Sequence, residues 1–501
     1  MASSLITDKF RIQLANVFKN SLTTDNYYLF ISRSSAWNTQ EYTSTPIVNE
    51  SNPPTALDSD FVFNQLYDNM IAIKKINASD LFKVINRINW TANTSYDQYK
   101  HDYSPTKPSA TGEVRLNNCK FYVMNSTYQV FKCISNNQTP ENPNGTLTAV
   151  GAEPNVTGSP TAIITTSDGY KWKFLYQITP QEILDFSTAE FIPVKTNSTV
   201  SLGAIAGAID NINILNRSST PLISGTYFAK IDGDGTGGVV RIIVPNDVNN
   251  VNDKKISIAE IVSSGSGYTF ASVDLTKTYT TAALTTPVSC GITTNGKTYI
   301  EVIISPFRGH GAAPENELGA YKTILNGVLD SIDGNGDIPI GISFRQFGVM
   351  VNPIINNSTS PFISPSGSVC YSIKLPATFT GTFINGEKLT QAVTNAVGVV
   401  IGYDPINKIV RYYQNKYTTT NDNLVRFSGA NAVSGDTVVN GGSGSSETPS
   451  LSGVFAGSTF VDGYANPEIT PKSGEILYYE NRVAINRSQD QIENIKLVFE
   501  F

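Results

Sequence analysis

The chain has 501 residues, 40% of them hydrophobic and 16% charged, with a formal net charge of −6 at pH 7. That length is enough for about three domains with sizeable cores. The acidic balance and the absence of any basic run argue against nucleic-acid binding, which needs an electropositive surface to displace counterions. Asn, Ser, Thr and Gly make up most of the polar remainder. Because these residues favour turns and strand edges over helix interiors, the composition predicts an all-β protein.

The first ten residues lack a charged segment followed by an apolar one, so we expect no secretion signal. No stretch approaches the roughly 18 uninterrupted apolar residues of a membrane span. We therefore expect synthesis in the cytosol and no membrane partner. The cysteines are widely spaced and form no Cys-x-x-Cys pair, which predicts reduced, mostly buried thiols and neither a disulfide framework nor a zinc site. They are Cys119, Cys133, Cys290 and Cys370.

Three segments carry helix signals. The first has apolar residues at helical spacing, namely Ile6, Phe10, Leu14, Val17 and Phe18. Thr7 or Asp8 is its predicted N-terminal cap. Residues 59–76 follow an Asn-Pro-Pro stop and predict a second helix capped by Ser59. The segment Thr179-Pro180-Gln181-Glu182 is a capping box with proline at the first helical position, which predicts a short helix through Phe186.

Elsewhere the pattern is typical of strands and turns. Aromatic and β-branched runs predict strands at 27–31, 121–124, 129–134 and 172–178. At the C-terminus, alternation of apolar and polar residues predicts a half-buried strand. Its apolar side consists of Ile495, Leu497, Phe499 and Phe501.

Composition shifts divide the chain into an N-terminal body with inserted modules. Glycine-rich turns at 232–238 and 264–268 punctuate short strands, a second β-rich stretch covers 376–416, and the Gly/Ser run at 441–446 is typical of a flexible loop. The predicted segments are a body at 1–196, an inserted β-rich module at 197–340, a return to the core at 341–375, a second inserted β module at 376–465, and C-terminal core strands at 466–501. We therefore predict an all-β, multidomain fold of β-sandwich layers with a few short helices.

Catalytic signals are weak, and we predict no catalytic, cofactor-binding or metal-binding residues. The chain has only two histidines, which leaves few bases for a nucleophilic triad. His310 lies in a loop-like segment without a nearby nucleophile, and we interpret His101 as a polar surface or hydrogen-bonding residue. Glu387 and Asp404 show no spacing typical of an acid–base pair, although a glycosidase can draw its carboxylates from distant strands.

One segment imitates a calcium loop. Asp232 and Asp234 alternate with glycines, but the twelfth position, where a bidentate Glu is needed, holds Ile243. We interpret it as a tight turn and keep weak cation binding as an open alternative. A second Asp-Gly segment at 333–337 departs from the loop pattern sooner and is interpreted as a turn.

Several motifs, in order along the chain, are similar to one known family. The segment Thr-Asp-Lys-Phe-Arg at 7–11, the segment Tyr-Leu-Phe-Ile-Ser-Arg-Ser at 28–34 and Trp37 resemble the opening of the baseplate wedge subunit of T-even-type contractile-tailed phages. Ser32 stands where that family has glycine. Asn-Pro-Pro at 52–54 and Arg-Ile-Asn-Trp at 87–90 resemble its next landmarks, with Asn86 in place of the usual proline.

Later motifs continue the resemblance. Asp-Gly-Tyr-Lys-Trp-Lys-Phe-Leu-Tyr at 168–176 is similar to a strand of the family, and Phe-Arg-Gln at 344–346 with Asn-Pro at 352–353 matches a later landmark. The most specific match is Ser-Gly-Glu-Ile-Leu-Tyr-Tyr-Glu-Asn-Arg at 473–482, then Asp-Gln-Ile-Glu-Asn-Ile at 490–495 and a closing Phe-x-Phe. The landmarks cover about 1–196, 341–375 and 466–501.

The resemblance implies a non-enzymatic structural subunit of the virion, assembled in the host cytoplasm into the tail baseplate. It implies a homodimer that docks to other wedge subunits, with tail-fibre attachment proteins as further partners, and that takes part in the rearrangement triggering tail contraction. Scarce charge and abundant aromatics suit interface cores. Two alternatives stay open, namely a tail-associated carbohydrate- or fibre-binding protein and a cell-wall hydrolase.

Overall fold

The computed structural model describes residues 6–37, 48–329, 338–414, 425–488 and 491–501. The chain is mostly β, with 38% strand, 11% helix and several separate antiparallel sheets. The predicted all-β multidomain fold class is confirmed. Among the described residues, no helix is both long and apolar enough to cross a membrane.

The helices are short and few. The α-helices are α1 Asp8–Ser21, α2 Asp60–Asp68, α3 Pro180–Phe186, α4 Ser198–Leu202 and α5 Pro314–Glu317. Single turns of 3₁₀ helix occur at Ala78–Asp80, Leu116–Asn118, Gly296–Thr298 and Val438–Asn440.

The strands follow in chain order. They are β1 Tyr27–Ser32, β2 Met70–Lys75, β3 Leu81–Asn86, β4 Tyr122–Met124, β5 Gln129–Ser135, β6 Ile163–Thr165, β7 Lys171–Gln177, β8 Phe191–Pro193, β9 Ile209–Ile214, β10 Gly225–Gly233, β11 Thr236–Val244, β12 Ile258–Ser266, β13 Ala271–Val273, β14 Thr278–Tyr279, β15 Pro287–Val288, β16 Ile300–Ile304, β17 Lys322–Leu329, β18 Ile342–Val351, β19 Ser366–Ser368, β20 Tyr371–Lys374, β21 Lys388–Gln391, β22 Ala396–Asp404, β23 Ile409–Tyr413, β24 Val433–Gly435, β25 Ser446–Glu447, β26 Gly453–Phe455, β27 Ser458–Phe460, β28 Tyr464–Ala465, β29 Glu475–Arg487 and β30 Glu493–Glu500.

Local sequence signals explain where the helices begin. The Thr7 hydroxyl accepts from the Phe10 N–H at the start of α1, and Ser59 caps α2 through the Val62 N–H. At α3 the predicted capping box is present, because the Thr179 hydroxyl accepts from the Glu182 N–H while the Glu182 carboxylate accepts from the Thr179 N–H. These three predicted starts are confirmed.

The second predicted helix is too long. Helix α2 ends at Asp68, and the residues from Met70 to Lys75 form strand β2, which pairs with β1. Its first four residues, Met70 to Ile73, are buried on both faces. Such a short, continuous apolar run does not distinguish a buried strand from a helix by periodicity. Pairing with β1, whose six residues are all buried, decides in favour of the strand.

The described residues divide into two compact units. Unit 1 comprises Met1–Ala15, Phe82–Ile324 and Val498–Phe501, and unit 2 comprises Asn16–Leu81 and Leu325–Leu497. The bounds of the five segments predicted from composition remain predictions.

Unit 1 contains a four-stranded sheet of order β4-β5-β7-β6, a six-stranded sheet in which β12-β11-β10-β14-β15 are neighbours and β13 pairs with β10, and the pair β16-β9. The glycine-rich segment at 232–238 forms the hairpin between β10 and β11. A core of buried aliphatic residues lies beneath these strands, including Ile231, Val240 and Ile242.

Unit 2 contains a five-stranded sheet of order β19-β2-β1-β18-β29 and a seven-stranded sheet of order β25-β24-β21-β22-β23-β20-β28. In the first, β18 lies between β1 and β29, so that Phe30 pairs with Gly348, and Gly348 pairs with Tyr479. A side chain on Gly348 would collide with the Tyr478 carbonyl and the Phe30 ring. The close packing of these three strands therefore requires glycine at that point.

Candidate functional site

The five-stranded sheet of unit 2 brings together motifs that lie far apart in the sequence. The Glu50 carboxylate accepts from the Trp37 backbone N–H at 2.6 Å and from Arg345 Nε at 2.9 Å. Arg345 Nη1 donates to the Ser34 carbonyl at 2.6 Å, and the Trp37 indole N–H donates to the Arg482 carbonyl at 2.8 Å. We call these five residues the landmark network.

The electrostatics of this network suit a structural role. Burial raises the pKa of Glu50, but hydrogen bonds from Arg345 and the Trp37 N–H outweigh it, so the pKa lies below its ordinary value. The Arg33 guanidinium lies 4.2 Å from the centre of the Trp37 ring, a cation–π contact. Only 3% of Trp37 is exposed. The network ties distant chain segments together through hydrogen bonds.

Neighbouring motif residues extend the landmark network along β29. The Gln346 amide donates to Asn481 Oδ1 at 2.9 Å, and the Asn481 amide donates to the Pro54 carbonyl, also at 2.9 Å. The Asn-Pro-Pro segment, the Phe-Arg-Gln segment and the C-terminal motif thus meet in unit 2.

The aromatic motifs of unit 1 form core rather than a binding surface. Tyr170 stacks on Trp172 with ring centres 5.5 Å apart, and Tyr96 meets Trp172 edge-on at 5.9 Å. Trp90 packs against the same cluster of buried residues. These side chains stabilise the four-stranded sheet by burial, each removing about 150–250 Å² from water.

A buried charged cluster lies in unit 1. Lys132 Nζ on β5 contacts Glu317 Oε2 on α5, and 0% and 2% of the two side chains are exposed. Lys132 Nζ also lies 4.9 Å from the centre of the Tyr99 ring, and His310 packs edge-on against the same ring at 5.0 Å. His310 Nε2 is 3.9 Å from Asp210 Oδ2.

Burial governs the protonation of this cluster. It lowers the pKa of Lys132, and the contact with Glu317 opposes that shift only in part. Burial together with the nearby charges of Lys132 and Lys173 lowers the pKa of His310 well below 6.5. His310 Nδ1 is buried without a hydrogen-bond partner in the structure. His310 is therefore neutral at neutral pH.

A polar groove of about 250 Å³ also lies in unit 1, lined by parts of β9, the start of β12 and the loop after β5. The side-chain amides of its lining form hydrogen bonds with neighbouring polar side chains. Asn211 donates to Gln98 at 3.0 Å, Asn213 donates to Glu301 at 2.8 Å, and Gln98 donates to Gln138 at 2.7 Å. At its edge the Ser264 hydroxyl donates to the lining residue Asp210 at 3.0 Å.

The other residues singled out from the sequence accept hydrogen bonds from backbone N–H groups within the fold. His101 Nδ1 accepts from the Ile304 N–H at 3.2 Å. Glu387 accepts from the Ile384 N–H at 2.6 Å and the Ser443 N–H at 2.8 Å. Asp404 accepts from two backbone N–H groups of the following turn. Both carboxylates thus stabilise turns by accepting backbone hydrogen bonds.

The glycine-rich hairpin uses its second aspartate internally. Asp234 accepts from the Thr269 N–H at 2.8 Å, the Phe270 N–H at 3.2 Å and the Thr269 hydroxyl. These bonds lower its pKa to about 2, while Asp232 lies in β10 opposite Ser272. In the part of the chain that the structure describes, no three His, Cys, Asp or Glu side chains are grouped as metal ligands. The Asp-Gly segment at 333–337 lies outside the described residues.

All four cysteines are buried free thiols, and their predicted burial is confirmed. Burial raises the pKa of Cys119 and of Cys370 to about 12, so these thiols stay protonated and unreactive at neutral pH.

Sequence reasoning missed two features. The first is the Lys132–Glu317 pair, for which the only local signal is a lysine inside the apolar run Val-Phe-Lys-Cys-Ile at 130–134. The second is a set of exposed apolar side chains in unit 1, whose positions depend on tertiary packing. They include Ile6, Phe10, Leu202, Ile205 and Phe307, with exposed fractions of 63%, 54%, 88%, 52% and 89%.

In comparisons with known proteins, no family model matches the chain, and no curated protein is significantly similar to it.

Proposed function

We propose that the chain is a structural subunit of the baseplate wedge of a contractile-tailed phage, which assembles with other wedge proteins and takes part in the rearrangement that triggers tail contraction. The observation that carries the proposal is helix α1. Ile6, just before the helix, and the helix residues Phe10 and Leu14 are 63%, 54% and 38% exposed, whereas Ile12 and Ala15 on another face are buried.

An exposed apolar stripe on a surface helix is the reverse of the usual pattern, in which the polar face meets water. Contiguous exposed apolar surface marks a site of association. In an assembly protein such a helix is covered by a partner, and the cost of exposing it is recovered on docking. This supports an assembly function over a soluble monomeric enzyme.

The landmark network supports the wedge assignment within that class. The motifs that resemble the wedge family at 28–34, 37, 52–54, 344–346 and 473–482 come from distant parts of the chain. Strands β1, β18 and β29, which carry three of them, are neighbours in one sheet, and Trp37 and Pro54 form hydrogen bonds with residues of β29. Motifs that follow the same order as those of the wedge family are expected to build the same structural framework. The partners in this proposal are a second copy of the chain and other wedge subunits, and the location is the virion.

The test is co-expression of the tagged chain with candidate wedge proteins of a contractile-tailed phage, followed by co-purification. Wild type should retain a wedge partner. Phe10→Ala combined with Leu14→Ala should weaken retention at least tenfold, because alanine keeps the helix while removing the apolar contact. Leu147→Ala with Val150→Ala, at 60% and 81% exposure elsewhere in unit 1, is the matched control and should behave as wild type.

Two outcomes would contradict the proposal. One is a wild-type chain that purifies alone in the presence of every wedge protein. The other is release of sugar from peptidoglycan or polysaccharide by the purified chain, which would favour the hydrolase alternative.

A further inference from the structure

We propose that Lys132 and Glu317 become joined by an isopeptide bond, an amide between the lysine Nζ and the glutamate Cδ that cross-links β5 to α5 within unit 1. This inference does not depend on the proposed function. It assigns a covalent modification to two residues that sequence reasoning did not connect.

The two reacting groups meet where water is excluded. The Lys132 and Glu317 side chains are 0% and 2% exposed, and Nζ contacts Oε2 directly. Burying two charges carries a desolvation penalty that their mutual attraction repays only in part. Conversion to a neutral amide removes both charges from the interior, so the environment that penalises the ion pair favours the condensed product.

The environment also activates the amine. The nucleophile in amide formation is the uncharged lysine, and desolvation in an apolar site increases its population. Burial lowers the pKa of Lys132 in this structure. Because folding holds the amine against the carboxyl group, the reaction is unimolecular and benefits from a high effective concentration.

The carboxyl group is held by donors that stabilise an attacked carbonyl. The Gly311 N–H lies 2.8 Å from Glu317 Oε1 and 3.0 Å from Oε2, and the Ala313 N–H lies 3.1 Å from Oε1. Two backbone N–H groups on one oxygen form the arrangement that stabilises the negative charge of a tetrahedral intermediate. A side chain at Gly311, whose φ is +83°, would collide with Val200, so the loop requires glycine to aim this N–H.

The reaction balances without a further reactant. A proton passes from the Lys132 ammonium to Glu317 Oε2 across their contact, giving an amine and a carboxylic acid. Nζ then attacks Cδ, and negative charge develops on Oε1 between the two N–H groups. The Nζ–Cδ bond remains, the Cδ–Oε2 bond breaks, and Oε2 leaves as water with the second proton released by nitrogen.

Helix α5 supplies a matched control. Glu315, two residues before Glu317, accepts from Lys83 at 2.5 Å. Its side chain is 37% exposed, in contrast to the 2% of Glu317. The Lys83 side chain is itself only 1% exposed, so the two pairs differ mainly in the solvation of the carboxylate. Because water reaches Glu315, its charged form stays solvated and this pair should remain a salt bridge.

The test is mass spectrometry of the full-length chain, unfolded in denaturant before measurement, with peptide mapping. The expected result is a mass lower than the sequence mass by one water and a branched peptide joined through Lys132 and Glu317. Lys132→Arg and Glu317→Ala should both lack the branched peptide. Glu315→Ala should retain it, and Glu317→Gln should form the same product with loss of ammonia in place of water.

The wild-type measurement needs no variant, so a variant that fails to fold leaves the result intact. Folded wild-type protein, verified by circular dichroism, that yields Lys132 and Glu317 only in separate linear peptides would overturn the proposal. A branched peptide that persists in Lys132→Arg would overturn it as well, because the link would then involve another residue.

Discussion

The indole N–H of Trp37 donates a 2.8 Å hydrogen bond to the backbone carbonyl of Arg482, which lies 445 residues further along the chain. This bond joins the N-terminal segment of unit 2 to its longest described strand, β29. The same tryptophan donates its backbone N–H to Glu50. Trp37 therefore fixes how the early part of the chain packs against the late part within the five-stranded sheet.

Replacing Trp37 with phenylalanine should lower the free energy of unfolding by about 1–3 kcal/mol, because the Arg482 carbonyl loses its donor while most of the apolar contact remains. Trp37→Ala should cost about 3–5 kcal/mol, since it also leaves a cavity. Urea titration measures both. Equal losses for the two variants would show that the hydrogen bond, and not the ring volume, carries the effect.

Arg345→Lys should destabilise unit 2 by about 1.5 kcal/mol, the low end for hydrogen bonds to charged groups, because Glu50 is partly solvated. The planar guanidinium binds both Glu50 oxygens and the Ser34 carbonyl, and an ammonium does not reproduce that geometry. The control is Arg482→Lys, whose side chain is 56% exposed beside Glu480. It should change stability by less than about 0.5 kcal/mol, and a loss as large as that of Arg345→Lys would contradict this account.

The buried imidazole of His310 should make stability depend on pH. Its pKa in the folded chain lies well below the ordinary 6.5, so the unfolded chain binds more protons in the window below 6.5. The free energy of unfolding then falls as pH falls through that window, by up to about 1.4 kcal/mol per pH unit. His310→Gln should lose this part of the slope in urea titrations across the window. Identical slopes for both proteins would contradict the prediction.

Gly309 should be far less tolerant of alanine than Gly112. Both have positive φ, +98° and +89°, but an added Cβ at Gly309 would lie 2.6 Å from the Ile205 backbone, whereas nothing lies within 4 Å at Gly112. Gly112→Ala should cost about 1 kcal/mol from backbone strain alone, and Gly309→Ala about 3 kcal/mol. Thermal unfolding compares the stability of the two variants. Equal losses of stability would mean that the loop bearing Phe307 shifts to accommodate the added methyl group.

Features set by neighbouring residues were predictable from the sequence. The Thr179–Glu182 capping box and the strands β1, β5 and β7 appear within about one residue of their predicted bounds. The C-terminal strand β30 also alternates as predicted, with Ile495 and Leu497 buried and Asn494 exposed. In each case the determining interactions lie within a few residues.

Features set by distant contacts were not predictable. Lys132 was placed correctly on a strand, but its partner Glu317 lies 185 residues away. Helix α1 was predicted, yet spacing alone does not reveal that Phe10 faces solvent. The prediction that residues 70–75 are helical was wrong because pairing with β1 outweighs local preference.

The order of strands in the five-stranded sheet has a consequence for biosynthesis. Strand β1 ends at Ser32, but its neighbour β18 begins at Ile342 and β29 begins at Glu475. At about 5–20 residues per second, roughly 15–60 s separate the emergence of β1 from the ribosome and that of β18. During that interval the apolar strand Tyr-Tyr-Leu-Phe-Ile-Ser has an open edge, so nascent chains crowded on one messenger are most vulnerable to mispairing before translation ends.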